Sequence, residues 1–133
     1  MLRPTFDLYV QLRPGRVTVE SPDLGRSAEA GGPGFSHPRL PVGDYGTAYS
    51  ALAEAIASMR PSQLHKVRRT LFHVQHEWEG GVTEVELRAI KDLAYDTTGG
   101  ARINVYVQPA DLSGSEVQQL LAAKPGSRPG LVR

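Results

Sequence analysis

Residues 70–107, TLFHVQHEWEGGVTEVELRAIKDLAYDTTGGARINVYV, decide the fold class of this chain. They contain an apolar run, a Gly-Gly hinge, a helix with a clear start and a second apolar run, in the order that a βαβ unit requires. Thr83 is spaced to accept a hydrogen bond from the Glu86 amide while Glu86 reaches back to the Thr83 amide, and Val82 and Leu87 have the spacing of a hydrophobic staple. The stretch therefore predicts an α/β domain.

Weaker patterns on both sides predict the remaining elements. Residues 6–11 and 17–20 alternate apolar and polar side chains around the turn sequence RPGR, which indicates a β-hairpin. Residues 21–41 are so rich in Gly and Pro that we expect a long loop with room for one short strand at most. Further along, we expect a helix capped by Asp44 and ending near Met59 or Arg60, a strand at 70–75, a helix from Thr83 to about Ala94 or Tyr95, a strand at 101–107, and a short helix after a capping box at Ser113 and Glu116.

Composition limits the possible functions. A length of 133 residues predicts one domain, which we place at residues 1–123, and the Pro- and Gly-rich residues 124–133 are expected to be a disordered tail. A net charge of +1 gives no reason to expect nucleic acid as a partner. The absence of cysteine excludes disulfides and thiolate metal sites. Because no stretch approaches the apolar length of a membrane span, we expect no membrane insertion and a cytoplasmic location.

Three stretches resemble the MreB-type bacterial actins, the rod shape-determining proteins. Residues 41–45, PVGDY, look like the family's GVIADF; residues 81–89, GVTEVELRA, are similar to GVTEVERRA; and residues 100–109, GARINVYVQP, resemble GAREVYLIEEP. The resemblance implies a ribonuclease H-like or actin-like half-domain: a β-hairpin plus βαβαβ, with two main helices and a short C-terminal one. In that family the first hairpin turn is an Asp-x-Gly phosphate loop.

The hairpin turn of this chain departs from that pattern. Pro14 has no amide to donate to a phosphate, and no acidic residue in the RPGR turn is present to organise a metal ion. The family's second lobe has no counterpart in these 133 residues. We therefore expect no enzyme activity, no catalytic residues and no cofactor. Our leading hypothesis is an interaction module, linked to cell-shape or cytoskeletal machinery, that binds a protein partner or forms a homodimer.

Five residues are candidates for ligand or partner binding: Arg13, Arg16, Asp44, His76 and Trp78. The arginines flank the hairpin turn, where a phosphate or an acidic partner would find them, although a solvated turn is the simpler interpretation. Trp78 is either a partner anchor or a cover for the end of the sheet. An alternative function, nucleotide or phosphate binding, would use Arg13, Arg16, Asp44 and His76 grouped at one end of the sheet.

Two further patterns carry less weight. His73 and His76, with Glu77 and Glu79, offer metal-binding donors, but side chains three apart on a strand point to opposite faces, so we expect no metal site. The basic residues 65–69 are expected to be mainly a solvated loop before the strand. A metal-dependent nuclease is a second alternative, in which Asp7 on the first strand would be one of several converging carboxylates.

Overall fold

The fold is known from a computed structural model that describes residues 4–31, 44–76 and 81–133. This part of the chain contains strands and helices in the order β-β-β-α-β-α-β-α. Their bounds are β1 (Thr5–Arg13), β2 (Arg16–Ser21), β3 (Arg26–Ala30), α1 (Tyr45–Met59), β4 (Lys66–Val74), α2 (Glu84–Thr98), β5 (Arg102–Val107) and α3 (Gly114–Ala122). The α/β class is confirmed.

The strands form one mixed sheet in the order β3-β2-β1-β4-β5. β1, β2 and β3 are antiparallel neighbours, which confirms the predicted hairpin. β4 runs parallel to β1 and to β5, with α2 connecting β4 to β5 as the βαβ pattern predicts. The carboxyl ends of β1, β4 and β5 therefore lie at the same edge of the sheet, which differs from the outer edge formed by the side of β5.

Helices cover both faces of the sheet. One core joins α1 and α2 to the sheet and contains Phe6, Phe72 and Ile90, all with 0 % exposure. A smaller core lies under α3 on the other face and contains Tyr9, Leu71 and Leu121. Because β4 contributes to both cores, its apolar residues on both faces are explained by coverage from two sides.

All three helices begin at the caps that the sequence predicts, but the side-chain pairing at the start of α2 differs from the predicted capping box. Thr83 caps α2, accepting from the Glu86 amide at 3.2 Å, but its own hydroxyl donates to the Glu86 carboxylate at 3.0 Å. Ser113 and Glu116 form the complete capping box that the spacing predicts for α3. Asp44 caps α1 by accepting from the Thr47 amide at 3.1 Å.

Several bounds differ from those expected. The Gly- and Pro-rich stretch contains the short strand β3, which is the one strand its composition allowed. α2 continues to Thr98 rather than ending near Tyr95. The largest difference is at β4, because the basic residues expected to precede the strand form its first half from Lys66 onward.

Residues 124–133, expected to be a disordered tail, contact the sheet instead. Leu131 forms an antiparallel bridge with Tyr106 of β5 and is only 5 % exposed. The Pro and Gly residues that suggested disorder lie in tight turns, where Gly126 and Gly130 take positive φ angles of 74° and 84°. Residues 124–133 therefore form turns followed by a short strand pairing, although their composition is typical of disorder.

Candidate functional site

The carboxyl ends of parallel strands are where open α/β sheets usually bind their ligands. At this edge Arg13, the last residue of β1, donates to the Gln75 side-chain oxygen at 3.2 Å and lies 3.6 Å from the Asp111 carboxylate. Gln75 also accepts from Gln11 at 2.9 Å and donates to Asp111 at 2.8 Å. These four side chains form the edge network, in which each side chain contacts at least one other member.

Arg16 lies just across the hairpin turn and is also paired. Its guanidinium contacts the Glu29 carboxylate of β3 at 2.8 Å, and both side chains are more than 60 % exposed. An exposed pair of this kind adds little to stability and exchanges readily with water. The two arginines of the predicted phosphate site are therefore both near the turn, but each is turned toward a carboxylate of the chain itself.

His76 follows the end of β4 at the same edge and is 6 % exposed. Burial lowers its pKa, while a hydrogen bond to the Leu12 backbone and the nearby Glu86 carboxylate act in the opposite direction. Because Glu86 belongs to the first turn of α2, His76 lies between the end of β1 and the start of α2. A neutral imidazole in this position packs the edge of the sheet and carries no positive charge for a phosphate.

His73 occupies the other face of β4 and has two strong partners. Its Nε2 contacts the Gln108 carbonyl at 2.8 Å, and its Nδ1 contacts the Tyr9 hydroxyl at 2.7 Å. A carbonyl only accepts, so Nε2 carries the proton and Nδ1 accepts from Tyr9. Burial lowers the pKa of His73, which agrees with this neutral form.

The side chains of His73 and His76 point to opposite sides of the sheet and do not form a common metal site. His73 faces the α3 side through its Tyr9 and Tyr106 contacts, and His76 lies toward Glu86 on the α2 side. β4 ends at Val74, between them, and the side chains still diverge. Within residues 4–31, 44–76 and 81–133 no group of three His, Asp or Glu residues is arranged to hold a metal ion.

Asp44 does not join the other candidates at this edge. Its neighbour Tyr45 donates a hydrogen bond to Asp96, in the last turn of α2. That turn leads into the start of β5, at the opposite edge of the sheet from Arg13 and His76. The predicted grouping of four residues at one end is therefore wrong for Asp44, whose carboxylate caps a helix. Trp78 lies outside the described residues.

Asp7, the acid that a nuclease would need on the first strand, is buried and pairs with two partly exposed arginines. The register between β1 and β4 shifts after Phe6, so that Asp7 faces both Arg68 and Arg69, a β-bulge with two residues opposite one. Each guanidinium donates two bonds to the carboxylate, at 2.8–3.4 Å. Burial raises the pKa of Asp7, but the two arginines outweigh it and hold the pKa below its usual value.

The Asp7 cluster corrects the expected role of the basic stretch. Arg68 and Arg69 are strand residues that neutralise a buried acid, rather than parts of a solvated loop. The Asp7 amide in turn donates to both oxygens of Asp23 at 3.2 Å, in the turn between β2 and β3. Sequence reasoning missed this cluster because a bulge depends on strand pairing and leaves no signal in a single strand.

A second feature missed from sequence is an aromatic and acidic surface on the helical layer, here called the Tyr45 surface. Tyr45 and Tyr49 of α1 are 38 % and 39 % exposed. Partial burial and the hydrogen bond to Asp96 raise the pKa of Tyr45 to about 12, with smaller contributions from Asp92 and Tyr49. The surface therefore consists of Tyr45, Tyr49, Asp92 and Asp96. The spacing of two tyrosines four residues apart on a helix was the only sequence signal for it.

Comparison with protein-family models and with curated proteins finds no match to this chain. None of the helices in the described ranges has the length and apolarity needed to cross a membrane.

Proposed function

We propose that this chain is a non-enzymatic interaction module with the fold of an actin-like, ribonuclease H-like half-domain, and that its partner belongs to the cell-shape machinery built on MreB-type actins. The strand order supports this assignment of the fold. The antiparallel strands β3, β2 and β1 flank parallel strands that are joined through helices, as expected for such a half-domain. The three stretches that resemble MreB-type actins are consistent with it.

The observation that carries the non-enzymatic proposal is the pairing of the polar groups at the edge where the carboxyl ends of β1 and β4 lie. Arg13 is bonded to Gln75 and Asp111, Arg16 is paired with Glu29, and the turn between the arginines contains Pro14, which has no amide to donate. Catalysis by such a fold requires donors and carboxylates that point at a ligand. Here they are directed at one another.

The Tyr45 surface is the strongest candidate for the partner contact. Tyrosine provides large contact area at a low cost in side-chain entropy and is enriched among residues that dominate interface energies. Asp92 and Asp96 add negative charge beside Tyr45 and Tyr49. A complementary partner presents arginine or lysine side chains, which can stack on the rings and pair with the carboxylates.

Co-sedimentation with purified filaments of an MreB-type actin tests this proposal. We expect the chain to pellet with the filaments and a Tyr45→Ala/Tyr49→Ala variant to bind at least about tenfold more weakly, which corresponds to 1.4 kcal/mol. A Tyr95→Ala variant is the matched control, because Tyr95 is also exposed, at 60 %, and does not belong to the Tyr45 surface. No binding by the parent chain, or equal weakening by both variants, would contradict the proposal.

Nucleotide or phosphate binding is the competing proposal, because Arg13, Arg16 and His76 do lie at the same edge. It predicts that ATP with magnesium raises the melting temperature, since a ligand at ~100 times its dissociation constant stabilises by roughly 2.7 kcal/mol. We expect no shift with ATP, GTP or inorganic phosphate, with or without magnesium. A shift that Arg13→Ala removes would favour this competitor.

A further inference from the structure

The outer edge of β5 is occupied by a short strand from the same chain. The Val107 amide donates to the Gly130 carbonyl and the Val132 amide donates to the Val105 carbonyl, both at 2.8 Å. These two bonds enclose Tyr106 and Leu131, which therefore face each other as a non-hydrogen-bonded antiparallel pair. Residues 130–132, here called the edge segment, extend the sheet beyond β5.

The edge segment contacts both cores of the protein. Leu131 packs into the small core under α3, and Val132 packs against the large core on the α2 side. Adjacent residues on opposite faces are what an inserted β-strand provides. Burying a leucine side chain contributes about 1.5–3 kcal/mol. The segment is therefore held by two backbone hydrogen bonds and by the packing of Leu131 and Val132.

The surface beside the edge segment is only partly filled. Two adjoining cavities of about 540 and 360 Å³ lie between α2 and the segment, and both are lined by Lys91, Val132 and Arg133. Tyr95 and Ile103 border the second cavity. The β5 edge and this groove together form an acceptor for an extended strand, with open space next to the strand that is already bound.

We propose that the β5 edge accepts the edge segment of a second copy of this chain, so that two copies exchange residues 130–132 and form a dimer. A second copy is the expected occupant, because its residues 130–132 can form the same two backbone hydrogen bonds and the same Leu131 and Val132 contacts. Exchange of an identical element is a low-cost route to a dimer, since every native contact is kept and only the connection changes.

The connection between α3 and the edge segment suits exchange. Pro125 and Pro129 lie in the tight turns of residues 124–129 and disfavour continuation of α3, so exchange opens these turns into an extended connection. Six extended residues span at most about 20 Å. In the dimer, the end of α3 in one copy must therefore lie within about 20 Å of the β5 edge of the other copy. Asp92 of the Tyr45 surface borders the second cavity, but Tyr45 and Tyr49 line neither cavity, so substitution of the two tyrosines separates this inference from filament binding.

A cysteine pair tests the exchange directly, because the chain contains no cysteine of its own. Facing residues of a non-hydrogen-bonded pair have Cα atoms about 4.5 Å apart, within the range that a disulfide bridges. In a Tyr106→Cys/Leu131→Cys variant oxidised at high concentration, exchange produces disulfide-linked dimers on a non-reducing gel. A bond confined to single chains, together with a mass of 14.4 kDa for the parent chain at all concentrations, would overturn the proposal.

Glycine variants give a second readout in case the cysteine pair weakens folding. A Cβ atom at Gly130 would lie 2.9 Å from the Gln108 side chain and 3.0 Å from the Tyr106 ring, and the φ angle of 84° strains any side chain there, so we expect Gly130→Ala to weaken the pairing of the edge segment with β5. Gly25 has a similar positive φ, and its Cβ would meet nothing within 4 Å, so Gly25→Ala is the matched control. By light scattering we expect Gly130→Ala to remove the dimer and Gly25→Ala to keep it.

Light scattering and co-sedimentation, applied to both sets of variants, separate this inference from the proposed function. A Tyr45→Ala/Tyr49→Ala variant should still dimerise, and Gly130→Ala should still pellet with MreB-type filaments. Dimers that persist in Gly130→Ala would show that another surface joins the copies and would refute the exchange.

Discussion

Substitution of Asp7 by asparagine tests whether this buried acid is structural. The Asp7 side chain is 3 % exposed and accepts bonds from Arg68 and Arg69, whose side chains are 54 % and 22 % exposed. Removing one member of a fully buried ion pair costs about 3–5 kcal/mol, because the remaining charge loses its partner. Water reaches both arginines here, so we reduce the expected cost for Asp7→Asn to about 2–3 kcal/mol.

The expected loss converts to a measurable change in melting temperature. Unfolding entropy of about 2.1 cal/mol/K per residue, over 133 residues, means that each kcal/mol lowers the melting temperature by roughly 3.6 °C. Asp7→Asn should therefore melt about 7–11 °C below the parent chain at neutral pH. Glu29→Gln is the matched control, since it also changes a carboxylate to an amide, in the exposed pair with Arg16, and should cost less than about 1 kcal/mol.

The pH dependence gives the decisive check. The pKa of Asp7 is lowered in the folded chain, so its contribution is present above the unfolded value of 3.8 and disappears as pH falls through the lower folded value. The difference between parent and Asp7→Asn should shrink in acid. Equal melting temperatures at neutral pH, or a loss of stability on adding magnesium chelators, would refute a structural role and return Asp7 to the nuclease hypothesis.

Three further predictions concern other parts of the fold. Burial lowers the pKa of His73 below 6.5, so the folded protein holds the imidazole neutral. The contribution of His73 to stability should therefore be complete above pH 6.5 and decrease as the pH falls below it. Thermal denaturation should show a weaker dependence of stability on pH in His73→Gln. Ser113→Ala should cost about 1 kcal/mol in urea unfolding through loss of the α3 capping box, and exposed Ser127→Ala should cost almost nothing. Leu131→Ala should cost about 2 kcal/mol in the same assay, whereas a disordered tail predicts no change.

Local signals in the sequence account for the fold class and most elements. Caps at Asp44, Thr83 and Ser113 lie where the sequence places them, because a cap is decided by a side chain and amides two or three residues away. The hairpin was predictable for the same reason, since Pro14 and Gly15 determine the turn locally.

Features that depend on distant residues were not predictable. β4 begins at Lys66 because the strand pairs with Thr5 and because Asp7 neutralises Arg68 and Arg69, and none of this is visible in a short basic run. The edge segment pairs with Tyr106 although it lies in a stretch whose composition is typical of disorder. Arg13, Arg16 and His76 lie at the same edge, but the partners of the arginines come from elsewhere in the chain: Gln75 follows β4, and Glu29 belongs to β3.

Binding to MreB-type actin filaments is the direct test of the proposed interaction module. The measurement is the dissociation constant of the chain for purified filaments, by co-sedimentation, for the parent and for Tyr45→Ala/Tyr49→Ala. The proposed interaction module predicts saturable binding that the double variant weakens by at least about tenfold. Absence of binding by the parent chain would contradict the proposed function.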